Sequence, residues 1–558
     1  MLAVTCLCLV YLLTTGPTSP GKVPGGKVNA AEIKVLSCVL SPFDGVIYLN
    51  SQGRRVRIDH SDGHLIDSSG ARLINEFPTD GRFHAEVRNS DPAALVGVVQ
   101  QPHVNNNFAL ELLISSAPGA DPKSIAFDVY AVPTPQLKNR YNVVIITIDT
   151  LRADRLGCYE YSRPTSPNLD KFATQAVRFS NAFSTSSFTP PAHASLFTSK
   201  YVADHGLLGW NRLPEDELTL AEVLQGCGYV TAASVNLALL SHQNLGQGYA
   251  LRSEGLRDGK EIIADAQDII HNSFGAPFML WLHFYDVHRP YGGPAEWATR
   301  FNAEGRDGVG DVEAHYNLQA ESNPKEGFSL AESGLDRADL EFIADRYDAG
   351  IAYLDSLLGP LLDELSTPQR LKDTLIIVTS DHGENLLEHP ECLFTHDPFL
   401  YSVVTRIPLL IRYPGANQGG TTSEALVSQI DVAPTVMDAI GLPVPPSFQA
   451  GRSLLPLPEG GRNEPDSHRF MECWGWSRLT AVRNNDYLII HDADEDQVRT
   501  YDLAADANEL QPLQKVPTQA TQLHQALDEF TKREGADAEV PSLDPETLEN
   551  LRSLGYIQ

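Results

Sequence analysis

The chain has 558 residues and a formal charge of −30, with 42% hydrophobic and 20% charged residues. That length exceeds one ordinary core and predicts two or three domains, and a mean hydropathy of −0.20 describes a folded, soluble protein. So acidic a surface repels nucleic acid and anionic membranes, which excludes a nucleic-acid role; it would also repel an anionic substrate, unless a bound cation reverses the local field.

Residues 1–15 are nearly all apolar and Gly16-Pro17-Thr18-Ser19-Pro20-Gly21 follows them. They resemble the apolar part of a secretory leader without its positive start, or a single membrane or lipid anchor, and point to export to the periplasm, cell surface or medium. No later run reaches the ~18 apolar residues of a membrane span. Residues 17–31, rich in Gly, Pro, Lys and Ala, read as a linker, so 1–31 is leader and linker. From Ile33 to Val132 the pattern is period two, as in Phe83-His84-Ala85-Glu86-Val87, with turns such as Ser61-Asp62-Gly63 between runs. This predicts a β-rich accessory domain over 32–138, either a carbohydrate-binding module or an inert packing domain.

After Pro133-Thr134-Pro135, apolar strand runs alternate with helical periods, at Ser166 to Ala176, Leu218 to Cys227 and Asp345 to Leu365. The alternation predicts a mixed, mostly parallel central sheet between helices over 139–465. The polar, Gly-rich stretch from Ala303 to Asp336 reads as a surface excursion, either a cover for a site or a tolerated insertion. From Asp466 short antiparallel runs predict a small C-terminal α+β subdomain, 466–558, with an amphipathic tail helix from Glu539. The seven cysteines show no C-x-x-C spacing, which argues against a zinc finger or disulfide framework and leaves most of the five outside the leader as small buried residues.

Two acidic residues close apolar strand runs: Asp149 after Asn142-Val143-Val144-Ile145-Ile146-Thr147-Ile148, and Asp381 after Thr374-Leu375-Ile376-Ile377-Val378-Thr379-Ser380, with His382 next. Between them lies Thr189-Pro190-Pro191-Ala192-His193. Carboxyl ends of parallel strands are where open α/β sheets bind ligands, and Asp, His and a hydroxyl are the parts of a metal-assisted nucleophile. The two prolines predict a helix with Thr189 as its N-cap, where the hydroxyl would sit beside free N–H groups able to cradle an oxyanion; a plain capping role is the rival reading. His193, four residues on, lies on the same helical face.

The run Ile148-Asp149-Thr150-Leu151-Arg152-Ala153-Asp154-Arg155-Leu156-Gly157-Cys158-Tyr159 resembles the opening of the sulfatase family within the alkaline phosphatase superfamily. Ser166-Pro167-Asn168-Leu169-Asp170, His283 to Tyr291, Ser380-Asp381-His382-Gly383-Glu384, Arg406 to Ile411 and Asp431-Val432-Ala433-Pro434-Thr435 extend the likeness, in family order, over roughly residues 140 to 510. The resemblance implies an α/β, alkaline-phosphatase-like sandwich with one divalent metal at the strand ends. Asp149, Asp381 and His382 fall on family metal-ligand positions, and Thr150 falls where sulfatases often carry a second Asp. Many members have Asn where His382 stands; the imidazole favours zinc or manganese, with calcium and magnesium left open.

Thr189 falls on the nucleophile position, which in active sulfatases is a Cys or Ser converted to formylglycine. A threonine cannot be converted, so a threonine ester would have to be cleared by water attacking sulfur or phosphorus, and threonine nucleophiles of the superfamily are associated with phosphoryl chemistry. His193 stands in place of an Arg. By the same resemblance His288 contacts the transferred group with His283 beside it, and His396 is a general acid. The family's Gly-Lys-Trp-His element is absent; the region reads Val230 to Asn236, with Asn236 offered as an oxygen contact. The expected function is a metal-dependent hydrolase of a small, glycan-borne or lipid-borne sulfate or phosphate ester. A phosphoglycerol- or phosphoethanolamine-type transferase, a phosphodiesterase, and a catalytically silent glycan-binding protein are the alternatives.

Overall fold

The computed structural model describes strands within residues 32–133 and then the chain from 137 to 533, apart from 273–276, 302–335, 391–392, 416–417, 449, 456–467 and 475–476. The leader, nearly all of the excursion after Ala303 and the tail helix expected from Glu539 lie outside the described residues. The chain divides into two compact units, Met1–Gln136 and Leu137–Gln558.

In the first unit the period-two runs become eight strands: β1 (Glu32–Leu40), β2 (Gly45–Ser51), β3 (Arg54–Asp59), β4 (Leu65–Asp67), β5 (Phe83–Arg88), β6 (Ala94–Pro102), β7 (Phe108–Ser116) and β8 (Asp128–Pro133). They pair antiparallel in two four-stranded sheets, ordered β1-β7-β6-β5 and β4-β3-β2-β8.

The second unit is built on eight strands: β9 (Asn142–Ile148), β10 (Val177–Phe183), β11 (Val230–Val235), β12 (Leu251–Ser253), β13 (Phe278–Phe284), β14 (Thr374–Thr379), β15 (Leu409–Arg412) and β16 (Thr422–Ser428). Their order is β12-β11-β13-β9-β14-β15-β10-β16, and only β15 runs against its neighbours. Every residue of β9, β13 and β14 is buried, as their unbroken apolar runs require of strands covered on both faces.

One face packs Val143, Ile145, Met279, Trp281 and Ile377 against helices α2 (Thr189–Thr198), α3 (Leu220–Gly226) and α6 (Val432–Ile440). The other packs Val144, Ile146, Leu280, Leu282 and Val378 against α1 (Pro167–Ala173), α4 (Gly259–Asn272) and α5 (Arg337–Leu365). Helix α5 opens on a capping box between Asp336 and Asp339. At its far end the wholly buried Arg412 of β15 donates through Nη2 to the Leu365 carbonyl at 2.6 Å and through Nη1 to Ser366 Oγ at 3.0 Å.

A second, antiparallel sheet, β17 (Arg469–Trp474), β18 (Arg478–Arg483), β19 (Tyr487–Asp492) and β20 (Gln497–Asp502), lies in the same unit. Helix α7 (Thr521–Phe530) covers it with Leu523 and Leu527 on Val482 and Ile489. The sheet is tied to the loop ahead of α2, since Glu472 N donates to the Thr185 carbonyl at 2.8 Å.

Candidate active site

Three adjacent parallel strands deliver the site. The register sets Thr147 of β9 opposite His283 of β13 on one side and opposite Thr379 of β14 on the other, so Asp149 and Asp381 emerge together at the carboxyl edge. The turn after Asp149 is held hard. Thr150 adopts φ of 58°, a region β-branched residues seldom enter. Its hydroxyl donates to the Asp149 carbonyl at 2.7 Å, and its own carbonyl accepts from Tyr347 at 2.7 Å. Ser380 Oγ accepts from Leu151 N at 3.0 Å and donates to the Ile148 carbonyl at 2.6 Å. Gln429 Nε2 pins the carbonyls of Ser380 and Asp381 at 3.0 and 2.6 Å.

These contacts treat the two oxygens of Asp381 unequally. Oδ1 accepts from Thr150 N at 3.2 Å and His382 N at 2.8 Å, whereas Oδ2 is buried without a partner. Both oxygens of Asp149 and Nε2 of His283 are buried and equally bare. His382 Nδ1 lies 3.0 Å from the Gly383 carbonyl, which can only accept, so that nitrogen carries the proton. Its Nε2 lone pair therefore points at Thr189 Oγ1, 3.1 Å away, with Asp381 Oδ2 at 3.5 Å and Asp149 Oδ1 at 3.9 Å. Burial first, and then the Asp381 carboxylate, push the Asp149 carboxyl well above its usual range; the surrounding imidazoles hold Asp381 below its own. Like charges buried side by side with unpaired oxygens are costly unless a cation joins them, so the donor set of Asp149, Asp381 and His382 fits the divalent metal that the family implies.

Thr189 is not the helix cap that the prolines suggested. Phe188, with φ −133° and ψ 129°, occupies the N-cap, and Thr189 is the first residue of α2. A residue already inside the helix is free to turn its hydroxyl to His382. All ten residues of α2 are buried, so its N-terminal dipole acts in a poorly screened setting that favours an anion. His193 donates from Nδ1 to the Thr189 carbonyl at 2.8 Å, and its Nε2 lies 3.0 Å from Thr147 Oγ1. Burial lowers its pKa to about 3, so the ring is neutral.

Across from the acids stand two further imidazoles. His396 donates from Nδ1 to the Ser187 carbonyl at 2.8 Å, and its ring centre is 4.2 Å from that of His382. His288 donates from Nδ1 to the Arg289 carbonyl at 2.8 Å and stacks on Tyr285 at 4.2 Å. Burial and neighbouring positive groups hold His396 well below and His288 at about 3, so both present Nε2 as a lone pair. That state makes His396 a proton acceptor before substrate arrives.

The structure thus brings Asp149, Thr150, Thr189, His193, His283, His288, Asp381, His382 and His396 to one pocket. Asn236 is spent locally: its amide donates to the Arg257 carbonyl and its Oδ1 accepts from Leu237 N at 2.7 Å. Two further buried polar residues near these groups were not singled out by the sequence reading. Thr147 is a hydroxyl inside a wholly buried strand, and that mismatch was the available signal. Glu384 is buried, accepts from the Tyr291 hydroxyl at 2.8 Å, and is pushed by burial up to about 7.

The sulfatase family matches residues 141–442, more than half of the chain, and the family described as N-sulphoglucosamine sulphohydrolase, C-terminal, matches 391–534. The chain belongs to the sulfatase family, whose members are ester hydrolases. It is 24% identical over 470 residues to an N-acetylglucosamine-6-O-sulfatase of Bacteroides thetaiotaomicron, covering 68% of this chain and 84% of that one. It is 28% identical over 331 residues to human N-sulphoglucosamine sulphohydrolase, covering 54% and 63%. Among solved structures, one complexed with its substrate D-glucosamine-2-N,6-O-disulfate superposes with a TM-score of 0.60 at 22% identity, covering 72% of this chain and all of that one. The phosphonate monoester hydrolase of Agrobacterium radiobacter superposes at 0.54 and 21%, covering 74% and 96%. These likenesses carry the fold: an alkaline-phosphatase-like sandwich with a separate antiparallel C-terminal sheet.

Proposed function

We propose that this sulfatase-family enzyme hydrolyses sulfate or phosphate esters of a small or sugar-borne alcohol, with Thr189 as nucleophile. The observation that supports this most directly is the Thr189 hydroxyl at 3.1 Å from the unprotonated Nε2 of His382, at the start of a buried helix and beside two carboxylates with bare oxygens. Asp149, Asp381 and His382 would hold a divalent cation, whose contribution is to lower the hydroxyl pKa and neutralise the ester's charge. Pro190 and Pro191 have no N–H and Ala192 N donates to the Phe188 carbonyl, so the start of α2 offers an oxyanion the Thr189 N–H and the positive end of the helix dipole.

Chemically, Thr189 Oγ bonds to sulfur or phosphorus, the ester's bond to its alcohol breaks, and the proton of the Thr189 hydroxyl ends on the departing alcohol. Water then attacks the threonine ester; His396 Nε2 accepts one water proton and delivers it to Thr189 Oγ as that bond breaks, and the other proton stays on the released acid. The anionic threonine ester beside His396 raises that imidazole's pKa, which fits it to hold the proton between the two events. The named relatives act on glucosamine sulfates, which supports a sugar ester as substrate. The reading is tested by hydrolysis of nitrophenyl sulfate, phosphate monoester and phosphodiester, with and without chelator. Thr189→Ala should fall by about 10⁴-fold or more, as for other lost nucleophiles. Full activity of Thr189→Ala would overturn the assignment, and absence of both turnover and metal uptake would favour a silent binding protein.

A further inference from the structure

We infer that Arg289, at the mouth of the pocket, binds a second anionic group carried by the alcohol part of the substrate, so that the preferred esters bear a further sulfate, phosphate or carboxylate beside the group that is cleaved. The inference rests on the ester-hydrolase reading of the same pocket.

Exposure marks the way in. Asp149, Asp381, His382, His193 and His283 are 0% exposed, Thr189 is 5%, and His396 and His288 are 8% and 9%. The next residue, Arg289, is half-buried, and Pro290 after it is exposed. The rings follow the same order: His396 lies 4.2 Å from His382 and 5.6 Å from His288, centre to centre. A substrate whose ester group reaches Thr189 therefore leads its alcohol past these two imidazoles toward Arg289.

The guanidinium of Arg289 has no protein group to bind. Its Nε is buried without a hydrogen-bond partner, and no carboxylate among the described residues pairs with it. Glu384 is not its partner, because Oε2 accepts from the Tyr291 hydroxyl at 2.8 Å and Oε1 is buried and bare. Arg152 shows the contrast: it is committed to Asp154 at 2.7 Å, to Glu388 at 2.8 Å and to the Glu384 carbonyl at 3.1 Å. A buried donor left unpaired is unfavourable, and arginine presents a planar fork of N–H groups that matches the paired oxygens of a carboxylate, sulfate or phosphate. The charge is felt inside the pocket. Burial first and then Arg289 hold His288 low, and Arg289 is the chief influence opposing the upward push of burial on Glu384. An open cation thus stands at the entrance of a chain whose formal charge of −30 would otherwise turn anions away.

The cleaved group is not the one that Arg289 awaits. That group must lie against Thr189 and His382, which are 3.1 Å apart at the buried end, with the rings of His396 and His288 between it and Arg289. A second anion farther out on the alcohol meets the guanidinium while the first stays in place.

The test uses the zinc-loaded full-length chain and ligands that cannot be hydrolysed: alkanesulfonates, with one charge, and α,ω-alkanedisulfonates of the same chain lengths, with two. By calorimetry the wild type should bind the best-fitting disulfonate about 10- to 100-fold tighter than the monosulfonate of equal length, as one charge-assisted pair supplies. Arg289→Gln should bind the two alike and keep its affinity for monosulfonates, while Arg289→Lys keeps part of the difference. Melting of each variant checks its fold; if Arg289→Gln does not fold, an affinity loss confined to disulfonates in Arg289→Lys decides. A wild type that turns over nitrophenyl esters yet shows no preference for disulfonates, or a preference that survives in Arg289→Gln, overturns the inference and leaves the hydrolase reading standing. Absence of both turnover and sulfonate binding in the wild type sinks that reading, and the role of Arg289 with it.

Discussion

The two flanks of the pocket use the same residue types in opposite conditions. Beside β9 and β13, both Asp149 oxygens, Asp381 Oδ2 and His283 Nε2 are buried without a geometric hydrogen-bond partner. Beside His288 and His396, each ring is pinned through Nδ1 to a backbone carbonyl and its outer nitrogen is left for a proton. Buried, unpaired acceptors cost on the order of 1–3 kcal/mol each, and a cation or a proton retained on Asp149 offsets that cost on the first flank. On the second, one nitrogen of each ring is satisfied and the other keeps a lone pair. Similar side chains are thus left bare or pinned according to what the backbone offers them.

Asp149→Asn strikes the comparison hardest. It removes one of two mutually repelling carboxylates, so turnover should fall by at least about 10³-fold, while the metal-stripped protein melts several degrees higher because a group held well above its usual pKa is no longer forced to ionise. A stripped variant that melts lower than the wild type would show that the bare oxygens carry no such cost. His396→Gln should cost about 10²–10⁴-fold in kcat and leave zinc affinity unchanged, because the relay flank holds no ligand. A matching drop in metal affinity would merge the two flanks into one.

The smallest effect concerns Asp397, next to His396. It is buried, accepts from the Cys473 thiol, and is pushed up to about 6, chiefly by burial. Its folded pKa lies above its unfolded one, so the protonated group's contribution is complete below about pH 4 and is lost as pH rises through about 6. Urea unfolding of chelator-treated wild type and Asp397→Asn should therefore diverge by on the order of 1–3 kcal/mol between pH 4 and 7, in favour of Asn. Parallel pH profiles would deny the shift.

Much of the architecture was legible because β9 and β14 are covered on both faces and so read as unbroken apolar runs ending in acids. Asp149, Asp381 and Thr189 stood out against that background by charge or by their prolines. Thr147 offered a weaker signal, since a β-branched residue is ordinary in a strand and its hydroxyl's neighbours, His193, His283 and Trp281, lie far off in sequence. Asn236 follows a strand as Asp149 does, and turn chemistry engages one N–H of its amide and its Oδ1. The helix start shifted by one residue because prolines tolerate either register, which takes Thr189 out of the N-cap position.

Arg412 has a consequence of a different kind. It is a strand residue whose guanidinium closes the last turn of a 29-residue helix on the far side of the sheet. Fraying of that turn would strand a buried cation, so the end of α5 and strand β15 should exchange their amide hydrogens as a single slow unit, and the end of the longest described helix should be among its best protected parts.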